Sequence, residues 1–158
     1  CFNTGLETLT GTRLKMIRDY FKDDKYFMVT YGDGVSDVDI SRLIEFHKEK
    51  GRIATITGAH PSSKYGQVKF DGNSLVTRFD QKPVLEDFIN GGFMVFDHRI
   101  FDFLDDNCMI EDPFPKLAEI RELALYKHIG FWHCLDTHKD YEDLNKLWQE
   151  DPKWKIWK

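Results

Sequence analysis

Hydrophobic positions along the chain alternate between two regimes, helical recurrence every three to four residues and short continuous apolar runs, and this predicts an α/β order. Leu14, Ile17 and Phe21 fall at helical spacing behind Thr10 or Thr12, either of which can cap, and the charged run 22–25 ends that helix. The next run, 26–31, is aromatic and β-branched with almost no polar interruption, which predicts a strand buried on both faces. Gly32-Asp33-Gly34 stops it. Asp39 then caps a helix with Ile40, Leu43, Ile44 and His47 on one face, and Gly51 stands where a left-handed residue closes a helix. A helix after Asp33-Gly34 argues against a hairpin turn there. Residues 52–57 read as another buried strand, and the β-loop-α-β order predicts a right-handed crossover with parallel pairing.

Further on, 67–70 and 75–79 flank Asp71-Gly72-Asn73-Ser74 and predict an antiparallel hairpin. A strand is expected over 92–96, a short helix over 100–104, and a helix opened by Pro113 and Pro115 that runs through Leu117 and Ile120. Two late strands, 123–126 and 131–135, precede a last helix beginning at Thr137, with Tyr141, Leu144 and Trp148 expected inward. The expected fold is α/β: one domain over 1–158, a mixed and mostly parallel sheet with helices on both faces and one inserted hairpin.

Composition narrows the function classes. The chain has 158 residues, 15% of them aromatic, far too rich in core-forming surface for a disordered chain. No apolar run approaches the roughly 20 residues that span a bilayer. Twenty-two basic against 27 acidic side chains leave a net charge of −5, with no basic cluster to track a nucleic acid. Cys1, Cys108 and Cys134 form no CxxC pair, and three cysteines suit a reducing, cytoplasmic setting better than a disulfide scaffold. A first residue that is Cys rather than Met, with no leader pattern, reads as the loss of something upstream. The C-terminal 154–158, with two Trp among lysines, is expected to dock on the domain rather than on a membrane.

In open α/β sheets ligands bind beyond the carboxyl ends of strands. Asp33 occupies such a place, between glycines that permit close approach, and it reads either as a ligand carboxylate or as a loop aspartate satisfied by backbone N–H groups. Asp136 follows an apolar strand and precedes the Thr137 helix start, where an acid also suits the helix dipole. Together the two carboxylates could share a hard divalent cation such as Mg²⁺, which takes one or two protein carboxylates and leaves other positions to water and phosphate. Lys82-Pro83 closes the strand leaving the hairpin, so the ammonium is expected at a fixed strand end. Asn90-Gly91-Gly92 reads as a turn or as backbone against which a sugar can press. His128, His133 and His138, five apart, fit neither a helical pair nor strand alternation and do not predict zinc.

Tyr31-Gly32-Asp33-Gly34-Val35, Gln81-Lys82-Pro83, Ile89-Asn90-Gly91-Gly92-Phe93, His128-Ile129-Gly130-Phe131-Trp132 and Leu135-Asp136-Thr137 occur in the order found in the sugar-1-phosphate nucleotidylyltransferases. The chain resembles that family along essentially its whole length, and Asn-Gly-Gly-Phe, Gly-Phe-Trp and the Trp-Lys-Ile-Trp ending are similar to its cytidylyl branch. The resemblance implies a Rossmann-like nucleotidyltransferase fold, Mg²⁺, CTP and a sugar 1-phosphate as substrates, and a cytoplasmic homo-oligomer without nucleic-acid or membrane partners. It implies Asp33, Asp136 and Lys82 as catalytic residues, with the two aspartates binding the metal and Lys82 against the sugar phosphate. Thr8, Arg13 and Gly32 would lie beside the nucleotide, and Tyr65, Gly66, Gln81, Asn90, Gly91 and Gly92 beside the sugar. Gln81 stands where the family has a glutamate, Thr12 where it has a glycine, and Asn3 where it has an aspartate. The likeness starts well inside the family pattern, past its Gly-rich phosphate loop, which implies a C-terminal portion of such an enzyme.

Overall fold

The computed structural model describes residues 1–157. In chain order the elements are α1 (Thr10–Met16), a 3₁₀ turn (Arg18–Phe21), β1 (Tyr26–Thr30), β2 (Gly34–Ser36), α2 (Ile40–Lys50), β3 (Ala54–Ala59), β4 (Gln67–Phe70), β5 (Val76–Asp80), β6 (Ile89–Asp97), a second 3₁₀ turn (His98–Phe103), α3 (Phe114–Glu119), β7 (Leu123–Lys127), β8 (Trp132–Cys134) and α4 (His138–Glu150). The chain folds as two compact units: residues 1–32, 39–57 and 92–126 form the first, and 33–38, 58–91 and 127 onward the second.

The first unit is built on a four-stranded sheet in the order β1-β6-β3-β7. The sheet is mixed. β1 runs antiparallel to β6, with Phe27 opposite Phe96, whereas β3 and β7 run together: Ala54 N donates to Glu122 O at one end and His128 N to Gly58 O at the other. The expected side-by-side pairing of β1 and β3 is corrected here, because β6 lies between them. A crossover helix fixes strand direction but not adjacency, and β6, nine residues long with Met94, Val95 and Phe96 fully buried, takes the central place. β1 is also not buried on both faces: it is the sheet's edge, Phe27 alone is buried and Met28 is 39% exposed. An apolar run cannot distinguish an interior strand from an edge strand covered on one side.

The core is largely aromatic. Phe27 stacks on Phe21 at 4.3 Å between ring centroids and meets Phe96 edge-on at 5.9 Å, while Ile53, Met94, Ile100 and Leu117 fill the gaps between rings. The first helix ends earlier than its periodicity suggests, passing into a 3₁₀ turn at Arg18, and neither Thr10 nor Thr12 caps it. Their hydroxyls instead accept from Ile110 N and Cys108 N, both at 3.0 Å, tying the helix start to a distant loop. Gly11 makes that contact possible, since a Cβ there would sit 2.6 Å from the Met109 carbonyl oxygen.

The second helix forms as its pattern predicts. Asp39 Oδ1 accepts from Arg42 N at 3.0 Å, and Gly51 adopts φ +60° at the C-terminal end. Its His47 is 4% exposed, shares a 2.9 Å hydrogen bond with Thr55 Oγ1 and meets the Tyr26 ring edge-on. Burial pushes His47 below its ordinary value of 6.5, with Asp97 pulling upward and Arg99 downward. The unfolded chain therefore binds this proton more readily than the folded one. Stability from His47 is complete above pH about 6.5 and is lost as pH falls toward the lower folded-state value. The melting temperature is expected to drop as pH falls below about 6.5, and His47→Gln should flatten that drop. An unchanged slope in the variant would reject His47 as its source.

In the second unit β4 and β5 form the predicted hairpin, and Asp71 Oδ1 accepts from Asn73 N and Leu75 N across the turn. Val68 faces Phe79 and Phe70 faces Val76, all four exposed by about half or more. Beside it in the same unit, β2 and β8 make a two-stranded antiparallel sheet. β2 corrects the expectation that helix follows Asp33-Gly34 directly: a three-residue strand intervenes, too short to leave a period in the sequence. The α4 helix begins at Thr137 in a capping box with Asp140. Leu144 is buried as expected, but Tyr141 and Trp148 are about half exposed, because α4 buries only a narrow stripe. Trp154 stacks on Phe131 at 5.4 Å and lies 6.2 Å from Trp148, so that part of the terminal segment docks on its own unit, while Trp157 is exposed and Lys158 lies outside the described residues.

Candidate active site

The β2–β8 pairing assembles the acids. Gly34 lies opposite Cys134, and Leu135 N donates to Asp33 O at 2.8 Å, so the residue before β2 sits beside the residues after β8. Asp33, Cys134 and Asp136 each bring a donor atom within 4.8 Å of the others, forming the one such cluster of His, Cys and acidic side chains among the described residues. Two carboxylates separated by about a hundred positions in sequence are thus neighbours in space. The Cys134 thiol donates to Asp136 Oδ1 at 3.3 Å. Partial burial, that hydrogen bond and the Asp33 charge push the thiol up to about 11. Asp136 is exposed, and its backbone N–H is taken by Asp140 Oδ2, which also accepts from the Thr137 hydroxyl at 2.7 Å. The Thr137 hydrogen bonds hold the Asp140 carboxyl below the usual carboxylate range. Asp140 is thereby committed to the helix start, and Asp136 is left facing solvent.

A cleft of about 410 Å³ opens beside this cluster within the second unit, lined by Lys64, Lys82, Ile89, Trp132, His133, Cys134, Asp136 and Thr137 among others. That is ample for a phosphorylated sugar. Lys82 adopts φ +49°, a left-handed conformation uncommon outside glycine and contrary to the extended bias of a residue before proline. It is held there by the bond from Ser63 N to Pro83 O at 2.8 Å and the bridge between Ser62 and Val84. No carboxylate pairs with Lys82 among the described residues, so its ammonium is available to an anion in the cleft.

Other expected site residues divide between the units. In the second, Gly91 O accepts from the Trp132 indole at 2.8 Å, which ties the start of β6 to β8 and places Asn90-Gly91 beside the acids' strand pair. Gly66 lies against Phe79 and Gln81, where a Cβ would fall 2.5 Å and 3.1 Å from their side chains, and Tyr65 is largely exposed. In the first unit, Gly92 adopts φ +78° with the Tyr31 ring so close that a Cβ would meet it at 2.6 Å. Arg13 places its guanidinium on the chain's own start, donating to Thr8 O, Thr4 Oγ1 and Leu6 O at 2.7 to 2.8 Å, while the Thr8 hydroxyl bonds Thr4 O. Gly32 immediately precedes Asp33 and is open, with nothing near a Cβ.

Sequence reasoning missed Cys134 and Trp132. The signal for Cys134 was present: positions 134 and 136 lie two apart in an extended segment and so face one way. His128, at the opposite end of the β2–β8 pair beside Ser36, is half of a 2.9 Å pair with Asp37 and shares a 3.1 Å hydrogen bond with the Ser36 hydroxyl. Gly130 makes room for that pair, since a Cβ would strike Asp37 Oδ1 at 2.3 Å.

The sequence profile described as "Nucleotidyl transferase" matches residues 10–151, nearly the whole chain. The chain belongs to the nucleotidyl transferase family. This family member is 39% identical over 98% of its length to the Bacillus subtilis protein named "Probable glucose-1-phosphate cytidylyltransferase", and 38% identical to the "Glucose-1-phosphate cytidylyltransferase" of Salmonella typhi. It spans about three fifths of their length, 61% and 62%. Among solved structures, HddC from Yersinia pseudotuberculosis superposes with a TM-score of 0.65 over 91% of the chain and 64% of that protein, at 20% identity, which establishes the shared fold. No helix among the described residues is long and apolar enough to cross a membrane.

Proposed function

We propose that this nucleotidyl transferase polypeptide carries the cation-binding and sugar-phosphate side of a glucose-1-phosphate cytidylyltransferase, which joins CTP and glucose 1-phosphate into CDP-glucose and releases pyrophosphate. The observation that carries the proposal is the convergence of Asp33 and Asp136 beside a cleft that also holds Lys82. The choice of cytidylyl over other bases is supported by the likeness to the two cytidylyltransferases.

The donor set fits a hard divalent ion: two exposed carboxylates on separate backbone segments, each free of a basic partner among the described residues. Mg²⁺ held by Asp33 and Asp136 would neutralise phosphate charge that an acidic chain otherwise repels. The remaining work falls to side chains and backbone. Lys82 attracts the sugar phosphate and fixes its direction from a left-handed backbone position. Asn90 and Gly91 offer backbone to the sugar, and Gln81 in place of a carboxylate contacts it without adding charge. A phosphate oxygen of glucose 1-phosphate forms the new bond to the α-phosphorus of CTP, the bond to the bridging oxygen breaks, and pyrophosphate leaves with that electron pair. The phosphate oxygen is already an anion, so no base and no covalent enzyme intermediate are required. Thr8, Arg13 and Gly32 stand on the nucleotide side in this reading, with the protein a cytoplasmic homo-oligomer.

The test is a nucleotide panel. Pyrophosphate release with glucose 1-phosphate should depend on Mg²⁺ and be greatest with CTP, and equal rates with UTP or dTTP would overturn the base assignment. Calorimetry of the polypeptide with glucose 1-phosphate separates a second possibility, a domain that binds sugar phosphate without catalysing transfer. The 61% coverage of the relatives is the observation favouring that possibility.

A further inference from the structure

The geometry points to Cys134 as a third donor at the Asp33–Asp136 pair, giving this cation site a sulfur ligand and making it accept zinc or cadmium ahead of magnesium. This rests on the proposed cation-binding role of the two acids and adds what that role does not contain: a soft donor that decides which metal the site prefers.

Three features support it. The Cys134 donor lies within 4.8 Å of both carboxylates, and its present partner is Asp136 Oδ1 at 3.3 Å, a separation that two ligands of one ion can share after small side-chain rotations. The register places Gly34 opposite Cys134, so no side chain on the partner strand covers the sulfur. Cys134 and Asp136 lie two apart on one extended segment and present their side chains to the same side. Magnesium takes oxygen ligands almost exclusively, whereas thiolate selects zinc and related ions, with Zn–S distances of about 2.3 Å. A sulfur donor therefore adds nothing to magnesium binding and a great deal to binding of a thiophilic ion.

The consequence is competitive loading. Zinc or cadmium at micromolar level should displace magnesium from the site, and Cys134→Ser should restore an all-oxygen preference. The test is a cadmium titration of the polypeptide carrying Cys1→Ser, because an exposed terminal thiol and amine would chelate cadmium independently, whereas Cys108 is buried. The ultraviolet band of a cadmium–thiolate bond should saturate at one ion per chain. It should vanish in Cys134→Ser and in Cys134→Ala, the second variant guarding against a local folding defect, and cadmium affinity should fall about tenfold or more in Asp33→Asn. A band of undiminished amplitude without Cys134, or cadmium affinity indifferent to Asp33, overturns the inference. Manganese binding, followed by water-proton relaxation on the same samples, separates the two levels. Manganese bound and lost in Asp33→Asn, alongside a cadmium band indifferent to Cys134, leaves the cation site standing and removes only its sulfur. Failure of both ions to bind removes both.

Discussion

Asp136→Asn should lower Mg²⁺-dependent pyrophosphate release from CTP and glucose 1-phosphate by about 10²–10³-fold, the range seen when one preorganised electrostatic group is removed from a transfer site. The substitution keeps the shape of the side chain and removes only its charge. Folding should be unaffected, because Asp136 is exposed, its side chain accepts a single weak thiol hydrogen bond, and the α4 helix is capped by Thr137 and Asp140 without it. Asp33→Asn should behave alike, and the double variant should lose little more than either single one, since both act through one ion. Retention of most turnover in both single variants, with the melting temperature unchanged, would reject the pair as the cation site. A large loss together with an unfolded chain would mean that the acids are structural instead.

Phe96→Ala carries the largest expected effect on stability. Phe96 is fully buried near the C-terminal end of β6, meets Phe27 edge-on at 5.9 Å and packs against Phe114 at 6.2 Å. Truncation removes the transfer free energy of the ring and leaves a cavity that rigid neighbouring rings cannot close, so a loss of about 3–5 kcal/mol is expected. Against a typical domain stability of about 5–15 kcal/mol, that is a large share. A denaturant melt should show the midpoint shifted with the slope preserved. A shift worth under about 1 kcal/mol would mean that the surrounding aromatic side chains relax into the space.

What the sequence revealed depended on whether a feature was local. The α2 helix was legible because its cap, its apolar face and its terminal glycine all lie within twelve positions, and all three have the predicted conformation. The β4–β5 hairpin was legible for the same reason, as was the placement of Asp33 and Asp136 at the ends of strands. The rank of β6 between β1 and β3 was not, because no local pattern encodes which strand takes the middle of a sheet. β2 was invisible: Gly34-Val35-Ser36 has no period of its own and becomes a strand only by pairing with β8. Yet that pairing is what brings the two acids together, so the acids of the candidate site were readable while the device that joins them was not. The left-handed Lys82 was hidden in a different way, since Pro83 predicts an extended predecessor and tertiary contacts overrode it.

The hairpin of β4 and β5 has a consequence of its own. Nearly every residue of both strands is exposed, with aromatic and branched side chains on a ribbon only two strands wide. Such a ribbon has little buried surface holding it closed, so its amides should trade hydrogen for deuterium through small local openings, while those of Met94 to Phe96 wait for the whole domain to unfold. The protein thus places weakly protected backbone immediately before Lys82.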